Sequence, residues 1–133
     1  MSINFDVKEF INDFQQAWST QSADQILTFF ADELNFEDIP IGLHAKNKEE
    51  LREILNITFE GVPNFTMEVF EHYVGDDFLI TKWKQSGNMT VQGYGLDLKD
   101  HAYEVVTTSI IKFDNSGNII SVSDNWNTGI FYQ

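Results

Sequence analysis

Two aspartates, Asp38 and Asp124, stand in segments whose alternation puts them on apolar faces. In an extended strand successive side chains point to opposite sides. Between Ile119 and Trp126, residues Ile120, Val122, Asp124 and Trp126 therefore share one face, with Ser121, Ser123 and Asn125 on the other. Leu34, Phe36 and Asp38 likewise fall together, opposite Asn35 and Glu37. A carboxylate in such a row is stripped of water, which disfavours its charged form and raises its pKa toward neutrality. That is the condition for a general acid or base working near pH 7. Each also has a structural alternative. Asp38 precedes Ile39-Pro40 and can organise a turn, and Asp124 can lie past the buried part of its strand.

The same alternation supplies walls for a pocket. Leu79, Thr81, Trp83 and Gln85 face one way while Lys82 and Lys84 face the other. Tyr103, Val105, Thr107, Ser109 and Ile111 point inward if Glu104 and Lys112 mark the solvent side. A tryptophan beside hydroxyl and amide groups suits an apolar pocket with a few polar handles, although core packing is the more ordinary role of Trp83 and of Trp126 taken singly. Phe14 and Trp18, one turn apart on an apolar helix face, are expected to line its floor. His44 lies near Asp38 in sequence and is assigned to the site, whereas His72 and His101 are scattered. The three histidines lack the short spacings of metal ligands, so no metal is expected. Gly93-Tyr94-Gly95 precedes no helix and is too little for a phosphate loop, and no other cofactor motif is present.

These residues need elements to hold them. Asp6 with Glu9, Ser22 with Gln25 and Asn47 with Glu50 each have the spacing of a capping box. They open three amphipathic segments: Val7 to Trp18, a short one carrying Ile26, Leu27, Phe29 and Phe30, and one carrying Leu51 to Phe59, stopped by Gly61-Val62-Pro63. From Phe65 the period changes to two. Strands are predicted over Phe65 to Tyr73, Phe78 to Thr90, Ala102 to Phe113 and Ile119 to Trp126, with short strands around Asn35 and Ile41. Helices followed by a meander make an α+β domain, a curved antiparallel sheet wrapped around N-terminal helices.

At 133 residues the chain fits one domain, 1–133, and its 42% apolar residues include twelve Phe. Eight basic against twenty-one acidic residues give a net charge of −13. Such a field repels phosphate backbones and anionic lipid heads, so neither nucleic acid nor membrane is an expected partner. Absence of cysteine excludes disulfides, zinc thiolates and thiol catalysis. The opening Met1-Ser2-Ile3-Asn4-Phe5-Asp6 lacks the basic and apolar regions of a signal peptide, and a cytoplasmic location is expected.

With those residues in view, the chain from Val7 to Asn127 resembles the nuclear-transport-factor-2-like superfamily, above all its SnoaL-like polyketide cyclase branch and more distantly the ketosteroid isomerases. The resemblance rests on Phe29-Phe30-Ala31-Asp32-Glu33-Leu34-Asn35-Phe36-Glu37-Asp38, on Pro40-Ile41-Gly42-Leu43, on Leu79-Ile80-Thr81-Lys82-Trp83, and on Ile119 through Trp126. It implies a cone-shaped sheet with a pocket at one end, a homodimer, and no cofactor. In the isomerases the base sits in a segment like Phe36-Glu37-Asp38; in the cyclases it is an aspartate on the last strand, matched by Asp124. The oxyanion-hole positions of the isomerases fall on Phe14 and Ser109, and Phe14 cannot donate a hydrogen bond. The implied activity is cyclase- or isomerase-type proton transfer on a small apolar carbonyl compound, with Asp124 as base, Asp38 as second acid or base, and Phe14, Trp18, His44, Trp83, Tyr103, Ser109 and Trp126 around the substrate. A non-catalytic ligand-binding or dimerisation domain of the same fold is the alternative.

Overall fold

The structure is a computed structural model and describes residues 3–93 and 95–132. Met1 and Ser2 of the opening segment and Tyr94 of the Gly-Tyr-Gly turn lie outside the described residues. Three helices come first: α1 (Val7–Thr20), α2 (Ala23–Leu27) and α3 (Lys48–Gly61). Each begins at its expected cap, the side chains of Asp6, Ser22 and Asn47 accepting from the backbone N–H of Glu9, Gln25 and Glu50. These bonds satisfy donors that a helix start otherwise leaves unpaired.

Six strands form one sheet: β1 (Phe30–Asp38), β2 (Leu43–Asn47), β3 (Thr66–Val74), β4 (Phe78–Gly93), β5 (Leu96–Phe113) and β6 (Ile119–Asn125), in the order β2-β1-β6-β5-β4-β3. The segment around Asn35 is thus a full strand. Phe30 begins it rather than ending α2, and Ile41 belongs to a 3-10 turn, Ile39–Ile41, ahead of β2. The sheet is mixed rather than antiparallel throughout, because β1 runs parallel to β6. No hairpin joins these two strands, so no turn dictates their relative direction.

Breaks in register interrupt β3, the β4–β5 pair and the β5–β6 pair. An extra residue on one strand bends it and increases its twist, and the sheet curves over the helices. In β6 the break carries one correction. Ile119 is fully buried while Ile120 is exposed, so Ile120 does not share the inner face with Val122 and Asp124. The β6-β5 turn closes on Gly117, whose φ of 82° suits glycine. Asp114 accepts there from the N–H groups of Ser116 and Asn118.

The helices pack an aromatic layer onto the concave face. Phe10, Phe14 and Phe29 meet one another within 6 Å between ring centres, and Trp18 touches Phe59 and Phe65. A second, smaller cluster of Met89, Tyr103, Val105 and Ile130 fills the far end of β4 and β5 under the 3-10 turn Thr128–Tyr132. No helix among the described residues is long and apolar enough to cross a membrane.

Candidate functional site

Register carries Asp124 to the centre of the concave face. Ser109 on β5 is its partner across the β5–β6 pair, and Asp38 on β1 is its partner across the β1–β6 pair. Directly opposed residues of adjacent strands share a face, so three polar side chains from three strands are brought side by side. Asp124 and Ser109 are buried and Asp38 is half-buried.

A buried hydrogen-bond chain fixes the geometry. The Trp83 indole N–H donates to Ser109 Oγ at 2.8 Å, and the Ser109 hydroxyl donates to Asp124 Oδ1 at 2.5 Å. Both polar functions of Ser109 are thereby engaged, and Asp124 is held through its Oδ1. Asp38 is held separately, accepting from the Trp126 indole N–H at 2.8 Å through Oδ1.

Burial acts on both carboxyls as expected from their faces. Loss of hydration pushes the Asp124 pKa up to about 7; the Ser109 hydrogen bond opposes this, and the charge of Asp38 adds to it. Asp38 is pushed up to about 6 by burial, against the hydrogen bond from Trp126. At neutral pH each carboxyl is thus close to its midpoint, where a group can both take and return a proton.

Asp124 opens onto a cavity walled by Phe14, Trp18, Phe30, Phe36, Met67, Trp83, Ser109, Ile111 and Val122. Its free volume is only about 10 Å³, room for one water. The structure therefore brings Phe14, Trp18, Trp83, Ser109 and Asp124 together around one space. It takes three expected site residues elsewhere. His44 is exposed on the side of β2 opposite Ala45, bonded to Asn35 Oδ1 at 2.5 Å, and shares a surface cleft of about 240 Å³ with Asp38. Tyr103 lies in the second cluster with its hydroxyl on Gln85, and burial raises its pKa. Trp126 lies beyond the end of β6, stacks edge-on against Phe131, and borders an outer cleft with Ile39 and Ile110.

Phe30, Phe36 and Met67 complete the walls without having been singled out beforehand. Phe36 was legible as a row-mate of Asp38, whereas Phe30 is masked by its place at a helix-to-strand junction. The indole N–H of Trp18 is buried with no hydrogen-bond partner, as are the hydroxyls of Thr81 and Thr107. Among the described residues no group of three His, Asp or Glu side chains stands close enough to hold a metal ion.

Solved structures of similar shape share the whole cone. A protein of Catenulispora acidiphila with a ketosteroid-isomerase-like fold, in complex with trimethylamine, superposes with a TM-score of 0.79 at 16% identity, over 92% of this chain and 88% of that one. A protein of Shewanella denitrificans, provisionally named a SnoaL-like polyketide cyclase, gives 0.80 at 11% identity over 94% and 93%. One of Xanthomonas campestris, provisionally named a polyketide cyclase, gives 0.78 at 14% over 90% and 89%. Identities this low establish the fold alone. Comparison with curated proteins by sequence finds no match. The sequence profile of the SnoaL-like polyketide cyclases matches residues 8–128, nearly the whole domain, and the chain belongs to that family, within the nuclear-transport-factor-2-like superfamily.

Proposed function

We propose that the protein is a cofactor-independent enzyme of the cyclase or isomerase type, in which Asp124 removes a proton from carbon next to a carbonyl of a small, mostly apolar compound. One observation carries this: a buried carboxylate, oriented by the Trp83–Ser109 chain, forms part of the wall of a mostly aromatic and aliphatic cavity. Such a carboxylate is expensive to bury, and a base poised near pH 7 is a use for it. Asp38, beside it in register, is the second acid or base and exchanges protons with the surface cleft it shares with His44.

A second reading has its own support. A free volume of about 10 Å³ admits any organic ligand only if wall side chains move, and with Phe14 unable to donate and the Ser109 hydroxyl given to Asp124, the absence of those two oxyanion donors favours a domain that binds a ligand without turning it over. The trimethylamine of the Catenulispora protein gives such a ligand a chemistry: aromatic walls and carboxylates suit an alkylammonium. The test is to identify by native mass spectrometry what co-purifies with the protein, then to assay that compound with native protein and Asp124→Asn. Turnover by the native protein and none by the variant supports the enzyme. Recovery of an unreactive amine supports the binding domain.

The same proposal includes a homodimer through the convex face of the sheet, where Val106 and Ile110 are exposed.

A further inference from the structure

Three wall residues of the inner cavity, Trp83, Ser109 and Asp124, are already joined in one hydrogen-bond chain. The Trp83 N–H is spent on Ser109, and the Ser109 hydroxyl on Asp124 Oδ1. Asp124 keeps its second oxygen, and Trp18, another wall residue, has an indole N–H that is buried with no hydrogen-bond partner among the described residues. Trp18 is itself only 8% exposed and is wedged among Phe14, Phe59 and Phe65. A buried donor left unpaired is costly, and native structures keep few of them without a reason.

We propose that the Trp18 indole N–H is the oxyanion donor of this site, hydrogen-bonding the carbonyl oxygen of the substrate while Asp124 takes the proton from the adjacent carbon. This rests on Asp124 being the base. In the step, the C–H bond breaks, its proton goes to Asp124, its electron pair forms the carbon–carbon double bond, and the carbonyl π pair moves to oxygen. The oxygen's new negative charge is met by the unpartnered indole N–H of a wall residue in a water-poor cavity, where such a bond is worth most. The enolate then takes the proton back at carbon, or attacks a second carbonyl of the same molecule to close a ring, the alkoxide so formed taking the proton from Asp124. Trp18 thus occupies the role that Phe14 and Ser109 cannot fill, Phe14 having no donor and Ser109 having given its own to Asp124.

The ligand class follows. It carries an oxygen acceptor and an acidic C–H on neighbouring atoms, has apolar flanks, and enters by displacing wall side chains, of which the unbranched Met67 is the most adaptable.

Cyclopentanone, a minimal ring ketone, is the probe. With ¹⁵N-labelled native protein, the Trp18 indole proton is expected to move downfield as cyclopentanone is added, while the indole protons of Trp83 and Trp126, already bonded, stay nearly fixed. In deuterated water the native protein is expected to accelerate exchange of the ring's α-hydrogens. Trp18→Phe should slow that exchange by about 10²-fold, and Asp124→Asn should remove it. An unmoved Trp18 indole resonance overturns the proposal without needing any variant to fold. Exchange by Trp18→Phe within about threefold of native, with exchange lost in Asp124→Asn, overturns Trp18 as the donor and leaves Asp124 as base, since a lost oxyanion donor costs far more than threefold. Exchange that survives Asp124→Asn overturns the base itself, and the Trp18 proposal with it.

Discussion

Asp38 and Asp124 are register partners across the parallel β1–β6 pair, so two carboxyls lie side by side on the concave face with no lysine, arginine or histidine among the described residues bonded to either. Their companions are neutral donors, a serine hydroxyl for one and an indole N–H for the other. Neutral donors orient a carboxylate without removing the penalty for its charge, which is why both pKa values are raised rather than lowered.

Replacing Asp124 by asparagine is expected to stabilise the protein at high pH. The folded pKa of about 7 stands above the ordinary value of 3.8, so ionising Asp124 opposes folding. The penalty is absent below about pH 4, grows as pH rises, and levels off above about pH 7. A shift of this size corresponds to about 4 kcal/mol, and an asparagine amide without a partner gives back about 1–3 kcal/mol. Urea unfolding should therefore find Asp124→Asn more stable than native by about 1–3 kcal/mol at pH 8, with the advantage gone at pH 4. Equal stability at both pH values would mean that Asp124 is not desolvated.

Ser109→Ala tests the chain that holds the base. It removes a hydrogen bond that lowers the Asp124 pKa, so that pKa should climb above about 7. It also strands the Trp83 N–H in the core, at a cost of about 1–3 kcal/mol in unfolding free energy. Ser109→Thr keeps the hydroxyl and should restore most of both. An Asp124 titration unaltered by Ser109→Ala, read by carboxyl-carbon NMR, would show that the hydroxyl does not support the carboxylate.

The homodimer has a direct check in sedimentation velocity. Native protein at micromolar concentration is expected to run as a dimer, and Ile110→Glu or Val106→Glu, on the exposed convex side of β5, is expected to run as a monomer with unchanged circular dichroism. Native protein sedimenting as a monomer removes the dimer from the proposal.

What the sequence made legible followed from local pattern. The three caps, and the inward row Tyr103, Val105, Thr107, Ser109 and Ile111, all buried, came from spacing and alternation alone. Alternation failed at Ile120, because a bulge adds a residue and reverses the faces on one side of it. It misplaced Trp126 because β6 ends one residue earlier. The β1–β6 pairing joins the first strand of the chain to the last, and nothing local encodes it. The Trp83–Ser109–Asp124 chain needs three strands in register, so each member was visible as inward-facing while their connection was not. The free N–H of Trp18 is likewise a property of the packed interior, since any tryptophan on that helix face reads as core.

The two carboxyls should titrate as a coupled pair, and the sign of each change separates their roles. Raising pH from 3, Asp38 ionises first, around 6, and Asp124 then ionises around 7 against the charge already beside it. Removing that charge with Asp38→Asn should lower the Asp124 pKa below about 7. The value should stay well above the ordinary 3.8, because burial is the largest cause of the shift and Asp38 the smallest. Trp126→Phe acts through the other partner. It deletes the bond that lowers the Asp38 pKa, so Asp38 should ionise above about 6 and its titration should merge with that of Asp124. Carboxyl-carbon NMR from pH 3 to 9, with Asp38→Asn and Asp124→Asn assigning the two resonances, reads all of this without a substrate. If the Asp124 pKa in Asp38→Asn fell to the ordinary value, proximity of charge rather than burial would be holding it up. If it did not move at all, the register pairing of the two aspartates would carry no electrostatic consequence, and a two-carboxylate mechanism would lose its physical basis.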